Sequence, residues 1–493
     1  MTRRAGTADR YLLVPILLLA LGMRALGLDG QSLSMDELTE LAIGRSPVRS
    51  ILVARDGFPP LYHTILHGWL TVFSGDLAAR WLSVALGTLS IWAVWGFARR
   101  AGGSRIALWT ALLVAVMPFH IWHSQEGRSY ILYYLFAAAT MWSLYTAVET
   151  DSPRAWSAYA VAALAGLLTH YYFGLIVLIG VIFVIVERRG RGPWRRAVLA
   201  HAVLAVGCLP VLWLLRGDLS SEAVMPFAIG FHPAAVGYAL FSFLSGYTLG
   251  PSPRELHDQP AGQAIAAAAP WLLLSAAAAG ALLFQGLRRL GARRWTVFLI
   301  VATLGPLVVC ALAADLLGVT FQVRHVLWAS IPLMVVLGAG ASQAGTSRVA
   351  ALALVTLLVL FGVSRYNRLT VPDYQTEDLR SAGKYLEGQD SSAPVLVLTG
   401  YMAGPVRHYL GEGWKVYQVP DVGAGGRGLP EAMRFADSTA PSGSPFWLVY
   451  TREFHGDPAG HFLDALRLAR GLERKAEFPG VVVYSGGAGR GTP

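Results

Sequence analysis

Ser34-Met35-Asp36-Glu37-Leu38 sets two carboxylates side by side, shortly after an apolar run from Tyr11 to Leu28. If that run crosses a bilayer, the pair stands at the far membrane face, level with lipid headgroups. A carboxylate there is either a solvated surface group or part of a site. The rest of the chain has to decide whether the run crosses at all.

Composition answers first. Of 493 residues, 54% are hydrophobic and only 14% charged, whereas an ordinary soluble protein carries about 25% charged residues. Apolar runs of about 20 residues recur along the chain, as spanning helices require. The fold class is therefore a polytopic α-helical membrane protein. The formal charge of +10 does not point to nucleic acid, because the Lys and Arg gather in short loops between apolar runs, as cytoplasmic loops do. Cys208 and Cys310 each sit inside an apolar run, which excludes a disulfide framework. Met1-Thr2-Arg3-Arg4 ahead of an apolar run has the form of a signal peptide. Arg24 within the run, and the lack of a small-residue cleavage site, favour an uncleaved first helix.

Parity then sets the topology. A basic start kept inside sends the first helix out and places Asp36 outside. Leu61 to Phe73 is short and carries His63 and His67, so it reads as an amphipathic helix on the outer surface rather than a span. Spans follow at about 79–97, 106–122 and 129–148. The stretch 155–186 lacks Asp, Glu, Lys and Arg and reads as two short helices with Thr169-His170-Tyr171-Tyr172 at their outer turn. A single helix there would put Arg188, Arg189, Arg191, Arg195 and Arg196 outside. Further spans at 197–215, 263–287, 295–314, 326–340 and 349–363 bring the total to about eleven. The outer loop from Arg216 to about Ala261 contains Arg254-Glu255-Leu256-His257, and a short outer loop carries Phe321-Gln322-Val323-Arg324-His325.

Residues 1–366 thus form a transmembrane domain, with an outer loop at 29–78 that carries interfacial helices. Residues 367–493 have the composition of a small soluble α/β domain, expected outside the membrane. Its strand-like runs lie at 395–399, 414–419, 446–450 and 481–484, with helical patterns around 376–386 and 460–469. The Gly-rich stretch 422–428 reads as a loop.

Several outer-face residues can carry chemistry. Ser34-x-x-Glu37 has the form of a capping box, which accounts for Glu37 as well as a direct role does. It leaves Asp36 projecting from a first helical turn, where a carboxylate can act as general base toward an acceptor hydroxyl. Arg128, near Glu126, and Arg324, next to His325, are suited to a phosphate; headgroup pairing competes for each arginine taken alone. His170 with Tyr171 fits a metal ligand, a hydrogen-bonding group in a sugar pocket, or an interfacial aromatic belt. His257 joins Glu37, Glu126, His170, Tyr171 and His325 as a substrate- or metal-associated candidate. Lone histidines such as His63, His67, His120 and His123 are more often structural. No HExxH or paired Cys/His spacing fixes a metal, and no Walker motif suggests an ATP-driven pump.

The order of these elements resembles a known family. Asp36-Glu37 after a first helix, Pro59-Pro60-Leu61-Tyr62, Ala79-Arg80-Trp81-Leu82-Ser83, the run from His123 to Tyr130, Thr169-His170-Tyr171 and Gly250-Pro251-Ser252 together look like the bacterial branch of the GT-C glycosyltransferases. That branch is related to the protein O-mannosyltransferases (glycosyltransferase family 39-like) and the lipid A aminoarabinose transferase. The resemblance implies the GT-C fold and a polyprenyl-phosphate-linked sugar as donor. It also implies inverting transfer, of a hexosyl or pentosyl group, on the extracytoplasmic face of the bacterial cytoplasmic (inner) membrane. Asp36 matches the family's catalytic aspartate, and Glu126 and Arg128 its second-loop acidic and basic positions. Arg324-His325 stands where the family often has Arg-Tyr. Phe58-Pro59-Pro60 lacks the Lys that some relatives have in the Pro-Pro stretch. A divalent metal, if present, would fall to Asp36 and Glu126. The expected partners are membrane lipids, the lipid-linked donor and a glycan, lipid or protein acceptor, with no nucleic acid, and the chain is expected to be a monomer. A lipid-linked sugar flippase or transporter is the alternative, but such proteins place charge near the bilayer midplane.

Overall fold

A computed structural model describes residues 2–53, 57–188, 194–219, 234–292, 294–317 and 322–487. Arg189, Arg191, Phe321 and the 220–233 part of the outer loop lie outside these residues. The chain divides into two compact units. The first comprises Met1–Leu28, Glu40–Pro251 and Ile265–Asn367; the second comprises Asp29–Thr39, Ser252–Ala264 and Arg368–Pro493.

The first unit is helical, and its helices fall where the apolar runs place them. Among the described residues, seven helices are long and apolar enough to cross a membrane, such as Ala78–Gly102, Tyr130–Thr150 and Arg348–Thr370. Shorter apolar helices occupy Tyr11–Ala25, Tyr171–Glu187 and Val236–Ser245. The chain is a multi-pass membrane protein. Val323–Ala341 is 89% buried by its neighbours, while Arg195–Gly217 is only 22% buried and turns residues such as Leu199 and Val206 outward. In water that exposed face would be a liability; in lipid it is the normal outer surface of a bundle. The stretch 155–186 is two helices, Pro153–Leu167 and Gly174–Arg188, with Thr169 and His170 between them, as expected from its flanking arginines. Leu61–Leu70 has ten residues, about 15 Å of helix, and cannot cross.

Two expectations need correction. The outer stretch after Arg216 is not simply a loop, since it contains helix Ala234–Ser245 with Ala239, Phe243 and Ser245 buried. The span expected at 106–122 is broken. Ser104–Val116 and Pro118–Gln125 meet at 57°, because Pro118 has no N–H for the Val114 carbonyl and Met117 adopts an extended conformation.

Arg24 repairs this break. It is wholly buried, and its guanidinium donates to Ala115 O at 3.0 Å, Val114 O at 3.2 Å and Ala20 O at 2.9 Å. It reaches His120 Nδ1 at 2.7 Å and Ser124 Oγ at 3.2 Å. His120 Nε2 in turn lies 2.9 Å from Ser90 Oγ, whose proton goes to Gly87 O at 2.7 Å. A Cβ on Gly87 would stand 2.7 Å from that of Ser124, so glycine is what lets the two helices approach. Arg24 of the first helix is thus the plug of a helix break whose freed carbonyls lie 90 and 91 residues further along the chain.

The second unit contains a five-stranded sheet of order β2-β1-β3-β5-β4, comprising β1 (Val395–Leu398), β2 (Val416–Gln418), β3 (Phe446–Thr451), β4 (Glu473–Phe478) and β5 (Val481–Gly486). β2, β1 and β3 are parallel, and β5 and β4 antiparallel. Alternate side chains of β1 enter different cores: Val395 and Val397 pack on helices Leu379–Glu387 and Ala403–Leu410, Leu396 and Leu398 on Leu429–Thr439 and His461–Arg470. The segment 29–34 is tied into this unit. Ser32 Oγ donates to Asp378 at 3.1 Å, the Tyr409 hydroxyl accepts from Leu33 N at 2.6 Å, and Arg380 pairs with Asp29 at 2.7 Å.

Candidate active site

Helix Met35–Gly44 begins in the second unit and continues into the first. Its start is a reciprocal capping box: Glu37 N donates to Ser34 Oγ at 3.2 Å, and Ser34 N to Glu37 Oε2 at 2.9 Å. Glu37 is therefore occupied in starting the helix, while Asp36 is half-buried in the first turn. Four residues on, and so on the same helical face, comes Glu40. It is buried, its carboxylate lies against His63 Nε2, and it stands 3.4 Å from Arg128 Nε. Neither Glu40 nor His63 was a candidate from sequence. The signal was present in the i, i+4 spacing of Asp36 and Glu40, but the partner of Glu40 comes from another helix.

Arg128 follows the broken span. Its guanidinium lies over the Phe58 ring at 5.4 Å and the Tyr130 ring at 5.6 Å. Arg324, from the turn before the last buried helix, lies over the same Tyr130 ring at 5.2 Å, with its Nε donating to Gln322. Two cations distant in sequence thus share one aromatic ring, whose π face lowers the cost of bringing them together.

His170 sits beside this pair. Its ring stacks on Tyr133 at 4.7 Å and lies 5.4 Å from Phe58, 5.8 Å from Tyr130 and 5.6 Å from His325. Burial, then the charges of His325, Arg324 and Arg128, hold its pKa well below the usual imidazole range. Tyr172 lies against His170 and against His325 at 4.7 Å; Tyr171, the tyrosine expected there, is half-buried at the start of the same turn. Leu61 N donates to Leu168 O at 3.0 Å, which joins helix Leu61–Leu70 to this turn.

Glu126 accepts from Trp122 Nε1 at 2.6 Å and lies 3.0 Å from His123 Nδ1. Burial would raise its pKa, but His123, Arg324 and Trp122 overcome that and hold it at about 2. It is an ionised carboxylate with its own partners. The structure thus brings Arg128, Arg324 and His170 around Tyr130, with His325 beside His170 and Tyr172 and with Glu126 within reach of the Arg324 charge. The His257 side chain lies outside the described residues. Among the described residues no three His, Cys, Asp or Glu side chains gather as a metal site.

Two arginines thus share one ring beside the buried His170, within a multi-helix membrane unit. The chain has the fold of the GT-C glycosyltransferases. Residues 58–215 match the family described as dolichyl-phosphate-mannose-protein mannosyltransferase. The chain is similar to ArnT from Cupriavidus metallidurans bound to undecaprenyl phosphate, at 15% identity and TM-score 0.56 over 96% of this chain and 97% of that one. It is also similar to the archaeal oligosaccharyltransferase AglB from Archaeoglobus fulgidus, in complex with an inhibitory peptide and a dolichol-phosphate. There the identity is 12% and the TM-score 0.54, over 90% of this chain and 69% of that one. Curated protein sequences give no match.

Proposed function

We propose that this chain transfers a sugar from a polyprenyl-phosphate-linked donor to an acceptor hydroxyl, with inversion, on the extracytoplasmic face of the bacterial cytoplasmic membrane. The observation that carries the reading is the convergence of Arg128 and Arg324 on Tyr130. The family match and the prenyl phosphates bound by the two similar structures support it. In this reading residues 1–366 form the catalytic domain and 367–493 an extracytoplasmic domain.

The bond that breaks joins the anomeric carbon to a phosphate oxygen. The leaving prenyl phosphate gains a negative charge, which Arg128 and Arg324 stabilise away from bulk water. The acceptor oxygen attacks from the opposite side of the ring, and Asp36 takes its proton. Glu40 holds Arg128 and His63 in place, and Glu126 offsets the charge of Arg324.

The test uses purified full-length protein, a labelled polyprenyl-phosphate sugar and extracted envelope acceptors. Asp36→Asn is expected to lower transfer by about 10²–10⁴-fold with folding and donor binding retained. Full activity in Asp36→Asn removes that residue as the base. Movement of the labelled lipid across vesicles without any transfer product would replace the enzyme by a flippase.

A further inference from the structure

The His170 imidazole is held at one nitrogen and unsatisfied at the other. Nδ1 lies 3.2 Å from the backbone N of Tyr172. A backbone N–H only donates, so Nδ1 accepts and the ring proton sits on Nε2. The residue is 3% exposed, and among the described residues Nε2 has no hydrogen-bond partner. Flipping the ring would give up the Tyr172 bond, and the stack on Tyr133 with the edge contact to Phe58 limits any other movement. A buried donor without an acceptor is unfavourable, and such groups mark places where a ligand supplies the acceptor.

The surroundings say which acceptor. Tyr130, 5.8 Å from His170, carries both guanidiniums. Each arginine has a carboxylate at hand: Glu40 lies 3.4 Å from Arg128, and the Arg324 charge acts on Glu126. Two guanidiniums and a neutral ring N–H about one aromatic ring are donors of the kind that hold the non-bridging oxygens of a phosphate.

We propose that His170 is a ligand of the donor phosphate, its Nε2–H hydrogen-bonding a non-bridging oxygen beside Arg128 and Arg324. The proposal rests on the prenyl-phosphate reading above. It makes His170 a binding residue that adds direction without adding charge.

The experiment measures binding of prenyl phosphate and uncharged prenol of one chain length to the full chain in phosphatidylcholine nanodiscs. The wild type is expected to bind prenyl phosphate more tightly than prenol. His170→Phe, which keeps an aromatic ring on Tyr133, is expected to weaken prenyl phosphate binding by about 10- to 100-fold and leave prenol binding unchanged. His170→Gln, whose amide can donate from nearly the same place, is expected to recover part of the loss. Unchanged prenyl phosphate binding by a folded His170→Phe overturns the assignment. If His170→Phe does not fold, the Nε2–H resonance of ¹⁵N-histidine in the wild type decides: it must shift with prenyl phosphate and not with prenol. Phosphatidylglycerol nanodiscs that abolish prenyl phosphate binding would make the ligand a bulk lipid headgroup and also overturn it. A wild type that binds prenyl phosphate no better than prenol sinks the prenyl-phosphate reading itself, a separate result.

Discussion

Arg24→Met should destabilise the helical unit severely. The substitution fills much of the space but removes every donor, so the carbonyls of Val114 and Ala115 lose the partner they have now, while His120 Nδ1 keeps Ser124 Oγ at 3.2 Å. Each orphaned buried carbonyl costs about 1–3 kcal/mol, or roughly 2–6 kcal/mol for the two. Relaxation of the bundle should hold the observed loss to about 3–5 kcal/mol, as for other broken buried polar networks. The assay is unfolding of the purified protein in mixed micelles with increasing denaturing detergent, repeated for Arg24→Lys, Pro118→Ala and the double variant with Arg24→Met. Lysine restores charge but cannot spread donors over the same acceptors, so it should recover only part. Pro118→Ala returns an N–H facing Val114 O, and Arg24→Met should then cost at least about 1 kcal/mol less, a coupling that a double-mutant cycle reads directly. A loss below about 1 kcal/mol, or strict additivity with Pro118→Ala, would refute the account of Arg24 as the plug of this break.

Glu40→Gln keeps the shape of the side chain but leaves Arg128 and His63 without their carboxylate; kcat/KM for donor should fall by about 10²-fold, and an unchanged value would separate Glu40 from the site. Glu126, depressed from an ordinary carboxyl value to about 2, contributes stability that is complete above about pH 5 and is lost as pH falls toward 2. That contribution is of order 3 kcal/mol, so wild-type protein should lose more stability than Glu126→Gln between pH 5 and 3, and parallel profiles would contradict the partners named here. Tyr130→Leu removes the ring shared by Arg128 and Arg324 and should weaken donor binding by about tenfold, measured as a rise in KM with kcat less affected.

Much of the architecture was legible in the sequence, and the misses have identifiable causes. The helix pair around Thr169-His170 followed from which side the neighbouring arginines must occupy. The capping box at Ser34 and Glu37 followed from spacing alone. β1, β3 and β5 stood out as apolar runs. β4, Glu-Arg-Lys-Ala-Glu-Phe from Glu473 to Phe478, did not, because it pairs only with β5 and a polar edge strand has little apolar signal. The break at Met117–Pro118 was hidden because residues on both sides are apolar enough for one continuous span. Glu40 and His63 were passed over because a buried carboxylate is recognised by its partner, and here the partners come from separate helices.

Transfer of a residue from water to lipid depends on that residue and its near neighbours, so hydropathy alone determined that this chain is a multi-span membrane protein with a C-terminal stretch of more polar composition. Which polar groups meet is a different kind of fact. Arg128, Arg324 and His170 come together on Tyr130, and Arg24 reaches the carbonyls freed at Pro118, only because helices distant in the chain pack side by side. A pairing of that kind is worth little until both partners are buried in one place, and burial is decided by the packed structure rather than by any stretch of sequence.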